Sequence, residues 1–412
     1  MGDSTTICRD VPLLLSSFVD AFVDFSFSGF FLPQKSDSNS PKQNPNQTLT
    51  PPPPPELQTR YPSPDRLVAI GDLHGDLNKS KQALKLAGLI DGSDRWIGGN
   101  TTVVQIGDVL DRGDDELKIV YFLEKLKHEA SKCGGLIITM NGNHEIMNID
   151  GDFRYVTPSS LDEFRAWANW YCIGNSMKNL CSGLDKKQRD LFEGIPRVFP
   201  GIRKEFHEGF RARIAALRPS GPISGRFLSG NPTVLVIGDS VFVHGGLLKN
   251  HVEYGLERIN EEVRDWIKGL KGRFSPRFVR GRDSVVWLRR FSEELARDCD
   301  CSALEHVLAT IPGAKRMIMG HTIQEVGING VCDNRAIRID VGMSKGCGNG
   351  LPEVLEIEGD RNQNSSELRV LTSNPVYLTR KYNNPTMKTP EQKEGLGFLI
   401  PEHQPKQLEV KS

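Results

Sequence analysis

The sequence predicts an α/β fold, with parallel strands joined by helical crossovers around a sandwich-like core. Three observations predict it. Short apolar, β-branched runs recur and end in tight polar loops: RLVAI before Gly71, TTVVQI before Gly107, GLIITM before Asn141, SVFV before His244 and RMIM before Gly320. Such runs read as buried strands. The segments 77–89 and 116–130, after the first two runs, carry apolar residues at helical spacing. A long stretch, 159–217, is rich in Trp, Phe and Arg, reads as helical and shows no strand signal, so it is expected to be an insertion.

The chain has 412 residues, 38% of them apolar and 25% charged, enough to bury one large core or two smaller ones. Its formal net charge is zero, so no global basic character points to nucleic acid. The eight cysteines form no C-x-x-C framework, and the expectation is a set of reduced thiols in a cytoplasmic protein. Cys299 and Cys301, flanked by Asp298 and Asp300, read as a solvated loop, with a redox pair as the alternative.

At the start of the chain, 13–32 is rich in Phe, Leu and Val. A membrane span is disfavoured because Asp20 and Asp24 would each cost about 2.5–3.5 kcal/mol at mid-bilayer. Leu14, Phe18, Ala21, Phe22 and Phe25 fall on one helical face and the two acids on another. The expectation is an amphipathic segment, 1–32, docked on its own domain or on a partner. It lacks the features of a signal or transit peptide, which favours the cytoplasm. A Pro-rich linker of polyproline II character is expected over 33–64, and a polar tail over 374–412. The catalytic domain is expected over 65–373, with the helical insertion at 159–217. Within it, 251–295 reads as mostly helical, and 336–341 and 351–357 as closing strands.

The loops that end the strands carry the chemistry. They read GDLHG from Gly71, GDVLDRG from Gly107, GNHE from Gly142, HGG from His244 and GHT from Gly320. Asp72 and His74 can reach one divalent metal, and Asp108 has two oxygens with which to bridge two metals. Asn143, His244 and His321 can complete a second site. Two such ions generate a nucleophile and neutralise charge in displacement at phosphorus. Arg112 offers a planar, bidentate cation to phosphate oxygens. His144 is the natural proton donor to a leaving oxygen, with Asp111 to orient its imidazole. Alone, each residue has a plainer use: an Asp in a Gly turn as a cap, a His as a core hydrogen-bonder, an Arg as a surface ion pair. Five such loops, each at a strand end, make a metal site the better reading. Glu145 is read as structural, and His128, His207, His251, His306 and His403 receive no role.

In this order, these motifs resemble the phosphoprotein phosphatase superfamily. GDFRYV at 151–156, SVVWLRR at 284–290 and IDVGMSKG at 339–346 resemble its Shewanella-like branch, and the N-terminal segment looks like the plant cytosolic type. The likeness covers about residues 66–357. It implies the calcineurin-like metallophosphoesterase fold: a central β-sandwich of mixed sheets flanked by helices. It implies the same roles for Asp72, His74, Asp108, Asn143, His244, His321, His144, Asp111 and Arg112. It adds a second phosphate-binding arginine, matched by Arg289 in Trp287-Leu288-Arg289, with Arg290 adjoining. Leu110 stands where the family's usual GDxVDRG has Val, an apolar exchange that should leave the chemistry intact.

The expected function is metal-dependent hydrolysis of phosphomonoesters on phosphotyrosine, phosphoserine or phosphothreonine proteins, by direct attack of metal-bound hydroxide. Two divalent ions are expected, manganese first, with iron and zinc as alternatives. The alternatives for function are a dinucleoside tetraphosphate hydrolase and a docking protein acting through its N-terminal helix. Phosphoprotein substrates and a regulatory partner at that helix are the expected partners, with no nucleic acid and no membrane span. Cys172 and Cys181, which bracket part of the insertion, are the candidates for a thiol switch.

Overall fold

The computed structural model describes residues 23–32, 58–179, 190–293, 295–360, 365–373 and 379–382. The strands are β1 (Arg60–Tyr61), β2 (Arg66–Ile70), β3 (Thr102–Gln105), β4 (Leu136–Thr139), β5 (Val234–Ile237) and β6 (Ser240–Val243). They continue with β7 (Arg316–Met319), β8 (Asn329–Val331), β9 (Ala336–Arg338), β10 (Glu353–Asp360), β11 (Ser365–Thr372) and β12 (Thr379–Tyr382). The helices are α1 (Leu77–Leu86), α2 (Glu116–Lys132), α3 (Asn143–Asp150), α4 (Pro158–Asn179) and α5 (His207–Leu217). After them come α6 (Pro222–Arg226), α7 (Lys249–Tyr254), α8 (Leu256–Ile267) and α9 (Cys301–Thr310).

Among the described residues two six-stranded sheets, in the orders β12-β11-β10-β2-β3-β4 and β1-β5-β6-β7-β9-β8, form the central sandwich. In the first, β2, β3 and β4 run parallel, with Leu67 opposite Thr102 and Thr102 opposite Leu136. Their near-continuous Val/Ile/Leu content follows from burial on both faces. The crossovers α1 and α2 follow β2 and β3, as the helical spacing predicts. In the second sheet β6, β7 and β9 are parallel. The carboxyl ends of all six strands meet at one edge of the sandwich, where their loops touch. The amides of Leu73 and His74 donate to Asp108 O, and that of Gly320 donates to His244 O. One core joins the sheets, taking in Val68, Val104, Ile138, Val236, Val243 and Ile318.

The sheets extend beyond the expected boundaries of 65–373. Arg60 and Tyr61 pair with Val236 and Ile237, so the end of the expected linker is a strand. β12 pairs with β11, so the start of the expected tail is one as well. β8, β11 and β12 carry too few apolar residues in a row to announce themselves. In β11 only alternate positions such as Leu368 and Val370 are buried, while Glu367 and Arg369 pair with each other at 2.9 Å.

The expected insertion contains α4 and α5 and, among its described residues, no strand. It packs on the rest of the fold through Trp167 and Phe164. The Trp167 indole donates to the Tyr121 hydroxyl at 2.9 Å.

Of the N-terminal segment, residues 23–32 are described, with 23–28 helical, and they dock on the chain's own fold. The expected faces differ from those observed. Asp24 is buried, in a bidentate pair with Arg226 at 2.8 and 2.7 Å, whereas Phe25 is exposed. Phe27 and Phe30 are the inward rings, on Tyr121 and Phe122. A buried charge with a fixed partner replaces the hydrophobic contact that helical spacing assigned to Phe25. Among the described residues no helix is long and apolar enough to cross a membrane.

The cysteine expectation is corrected. Cys301, at the start of α9, is disulfide-bonded to Cys332, just beyond β8. Thus Cys301 is neither a free thiol nor paired with Cys299, whose buried Sγ donates to Glu293 O. Spacing along the chain is silent about a partner 31 residues away. Cys172 is a free thiol, and Cys181 lies outside the described residues.

Candidate metal centre

Three of the five loops at the sandwich edge bend sharply. His74, Asp108, Asp111, Arg112 and His321 all have positive φ, between 42° and 68°, which non-glycine residues adopt only where the surroundings enforce it. Glycines give the close approach. A Cβ on Gly142 would lie 2.2 Å from Asp108 Oδ1, and one on Gly320 would lie 2.3 Å from Asp72 Oδ1. Only hydrogen fits at these positions.

Asp108 lies at the centre. Its Oδ2 is 3.1 Å from His244 Nε2, 3.6 Å from His74 Nε2 and 3.8 Å from His144 Nε2. His74, Asp108 and His144 form one group whose donor atoms lie within 4.8 Å of one another, and Asp108, His244 and His321 form a second. His74 Nδ1 meets Leu110 O at 3.0 Å and His244 Nδ1 meets Ile106 O at 3.1 Å. Those carbonyls fix the tautomers and leave both Nε2 atoms facing Asp108. Asn143 Oδ1 lies 2.9 Å from His244 Nε2. The amide of His321 donates to Asp72 Oδ2 at 3.2 Å, while Asp72 Oδ1 and His321 Nε2 are buried with no hydrogen-bond partner.

The electrostatics are those of buried carboxylates and imidazoles crowded together. Burial, then the neighbouring Asp340 carboxylate, pushes Asp72 well above the usual carboxylate range. Burial also raises Asp340. Although burial opposes it, the Asp108 and Asp72 carboxylates pull the His244 imidazole up to about 10. Burial pushes His74 down to about 3. Orphaned oxygen and imidazole donors, tautomers set by carbonyls and repelling buried carboxylates all fit divalent ions of intermediate hardness. Asp72, His74, Asp108, Asn143, His244 and His321 could hold them.

His144 stands beside this cluster. Its Nδ1 is 2.6 Å from Asp111 Oδ2, and its amide donates to Asp108 Oδ1 at 2.9 Å. Against the cost of burial, Asp108 and Asp111 hold the imidazole above its usual range. Arg112 stacks on the Tyr155 ring at 4.8 Å, and its Nε is buried with no partner. The two neighbouring arginines of the W-x-R stretch part company. Arg289 donates to His321 O at 3.0 Å and to Thr322 Oγ1 at 2.8 Å, at the rim of the cluster. Arg290 pairs with Asp300 at 2.6 Å, away from it.

All ten residues singled out in the sequence therefore meet at one edge. Sequence reasoning passed over three others. Asp340 sits beside Asp72, two residues beyond β9 as Asp72 is two beyond β2, so its strand-end position was a usable signal. The Tyr155 ring lies 5.1 Å from His144 and was visible only as part of GDFRYV. Arg213, which bonds to Asp111 at 2.8 Å, carries no signal in its helix. The unassigned histidines His207, His251 and His306 satisfy backbone groups: Ile202 O, the amide of Leu248 and Ser302 O. His403 lies outside the described residues.

Residues 65–325 match the calcineurin-like phosphoesterase family. The chain is 64% identical over 407 residues to Shewanella-like protein phosphatase 2 of Arabidopsis thaliana, covering 98% of each. It is 30% identical to Shewanella-like protein phosphatase 1 of Plasmodium berghei, covering 68% of this chain and 67% of that one. Among solved structures it resembles a cold-active protein-tyrosine phosphatase of a psychrophilic Shewanella species. The TM-score is 0.55 at 22% identity, covering 79% of this chain and 83% of that one, and it supports the shared fold. The chain belongs to the calcineurin-like phosphoesterase family and, within it, to the Shewanella-like protein phosphatases.

Proposed function

We propose that this protein is a metal-dependent protein phosphatase that hydrolyses phosphomonoesters: phosphotyrosine, phosphoserine or phosphothreonine, or both classes. The observation that carries it is the gathering of His74, His244 and His321 around Asp108, with the His144–Asp111 dyad alongside. Asp72 and His74 would hold one ion, Asn143, His244 and His321 the other, with Asp108 between them. Two divalent ions there would supply a nucleophile at neutral pH and neutralise charge on the phosphoryl oxygens. Manganese is the leading choice, ahead of iron and zinc.

The protein's own side chains do the rest. Arg112, with an unpartnered Nε, and Arg289, at the rim, bind the phosphate oxygens and orient the ester. His144, its Nδ1 proton held by Asp111 Oδ2, presents Nε2 to the leaving oxygen and gives it a proton. No cysteine is required, since the proposed pathway forms no phosphoenzyme. The names of the relatives favour protein substrates over dinucleoside tetraphosphates. The catalytic unit is taken as 65–373 together with the strands that flank it, and the docked segment at 23–32 as the place for a regulatory partner. The cytoplasmic assignment keeps one support fewer, because Cys301 and Cys332 are not free thiols.

The test is initial-rate hydrolysis of matched phosphotyrosine, phosphoserine and phosphothreonine peptides, and of diadenosine tetraphosphate, with and without manganese. Metal-dependent turnover of peptides is expected, falling about 10²–10⁴-fold in His144→Ala. Turnover of the dinucleotide alone would replace this reading with the nucleotide hydrolase. Equal rates in wild type and His144→Ala would remove His144 from the chemistry.

A further inference from the structure

The sequence marks the helical insertion as an addition to the core, and nothing in the proposed chemistry uses it. Its helix α5 nevertheless sends one side chain to the dyad. Arg213 is completely buried, and all five of its N–H donors are engaged. Nε donates to Asn148 Oδ1 at 2.8 Å, and Nη1 to Glu116 Oε1 at 3.0 Å and Ser160 Oγ at 2.7 Å. Nη2 donates to Asp111 Oδ1 and Glu116 Oε2, both at 2.8 Å.

Two of these bonds lead to His144. Asp111 presents Oδ1 to Arg213 and Oδ2 to His144 Nδ1, so one carboxylate is held between the guanidinium and the imidazole. Asn148 takes Arg213 Nε on its oxygen and donates its own Nδ2 to His144 O at 2.8 Å. The guanidinium thus reaches both the ring and the backbone of His144. Phe164 and Phe153, 4.6 and 5.6 Å from its centre, wall it from water. Asp111 has φ 68° and a fully buried side chain, so it is held by these partners rather than by an easy local conformation. The guanidinium fork is bidentate on Glu116, which fixes its rotation and so gives the single Nη2 bond to Asp111 Oδ1 a set direction that a lysine would not.

We infer that Arg213 of the insertion is a positioning residue for the proton donor: it sets the Asp111 carboxylate, and through it the His144 imidazole, in line with the leaving oxygen. The insertion is therefore part of the catalytic apparatus, although none of its residues need touch substrate. This inference rests on His144 as proton donor, and the experiment separates the two.

A serine or threonine alkoxide must be protonated as it leaves, whereas p-nitrophenolate leaves unaided. Rates are compared on a phosphoserine peptide and on p-nitrophenyl phosphate, at saturating manganese, for His144→Asn, Asp111→Asn and Arg213→Lys. The charge-balanced pair Arg213→Met/Glu116→Gln is included because it removes a buried cation and anion together and so is easier to fold. His144→Asn should lose far more on the peptide than on the aryl ester. If it does not, the proton-donor reading fails and takes this inference with it. If it does, both Arg213 variants should lose kcat on the peptide by about 10-fold to 100-fold, part of what a positioned acid supplies. On p-nitrophenyl phosphate they should lose less than about threefold in kcat, with KM little changed on either substrate. The Arg213→Lys loss should not add to that of Asp111→Asn in the double variant. Equal losses on both substrates, or none on either, in the folded variants would overturn the inference and leave Arg213 as a packing residue.

Discussion

Glu145 illustrates how one side chain can set several loops. Its Oε1 accepts the amides of Val109 and Leu110 at 2.8 and 3.1 Å, and its Oε2 accepts those of Asp108 and Gly142, both at 2.8 Å. With both oxygens taken up by backbone amides, it ties the loop of Asp108 to that of Asn143. Glutamine would turn an NH2 toward donors that need an acceptor. We expect Glu145→Gln to lower the unfolding free energy by about 1–3 kcal/mol. Metal affinity should also fall about 10-fold to 100-fold, as when a group that orients ligands is removed. Denaturant unfolding and metal analysis after dialysis measure the two effects. An unchanged metal content would show that these loops hold their shape without the carboxylate.

At the scale of elements, the contact between α4 and α2 governs how the insertion is attached. The first amides of a helix have no partner within it. Here those of Leu117 and Lys118 donate to Glu163 of α4, at 2.9 and 3.0 Å. Burial pushes the Glu163 carboxyl up to about 8, against the pull of the two amides. In the unfolded chain a glutamate titrates near about 4.3. The folded state therefore binds the proton more tightly. Its contribution to stability is complete below the unfolded value and is lost as pH rises through the folded one. Wild type should lose thermal stability between pH 6 and about 8.5 relative to Glu163→Gln, which has no proton to release at this position. The melting-temperature gap between the two proteins, measured across that range, should narrow as pH rises. A constant gap would mean that the carboxylate is ionised throughout.

At the scale of the whole molecule, loops from both sheets bring Asp72, Asp108, Asp340 and Glu145 together inside the protein, each nearly or fully buried. The mutual repulsion of these acids exists only in the folded chain, and so does the geometry that binds a cation. A divalent ion therefore binds the folded state and should stabilise it by about 2.7 kcal/mol per site at a hundredfold excess over its Kd. Adding manganese to metal-stripped protein should raise Tm in a concentration-dependent way, and a chelator should reverse the rise. A Tm insensitive to every divalent ion tried would contradict the metal reading independently of any activity assay.

How much of this was legible in the sequence follows from how local each feature is. A buried strand, a glycine turn and the ligand after it occupy fewer than about ten consecutive residues. Hence the parallel strands and nine of the site residues could be named from such local patterns, and Arg289 only from the family resemblance. The features that escaped depend on partners far along the chain. Whether Arg289 or Arg290 faces the site depends on His321 and Thr322, more than 30 residues away. Asp24 is inside and Phe25 outside because Arg226, 202 residues on, meets the carboxylate. Arg213 reaches a carboxylate 102 residues earlier, from a helix whose sequence marks no special position. Periodicity reports which side of an element is apolar and is silent about which buried charge another element will supply. The sequence by itself determined the chemistry the loops can perform. Only the tertiary structure decided what holds those loops in place, because burial gives such distant ion pairs and hydrogen bonds their strength and their direction.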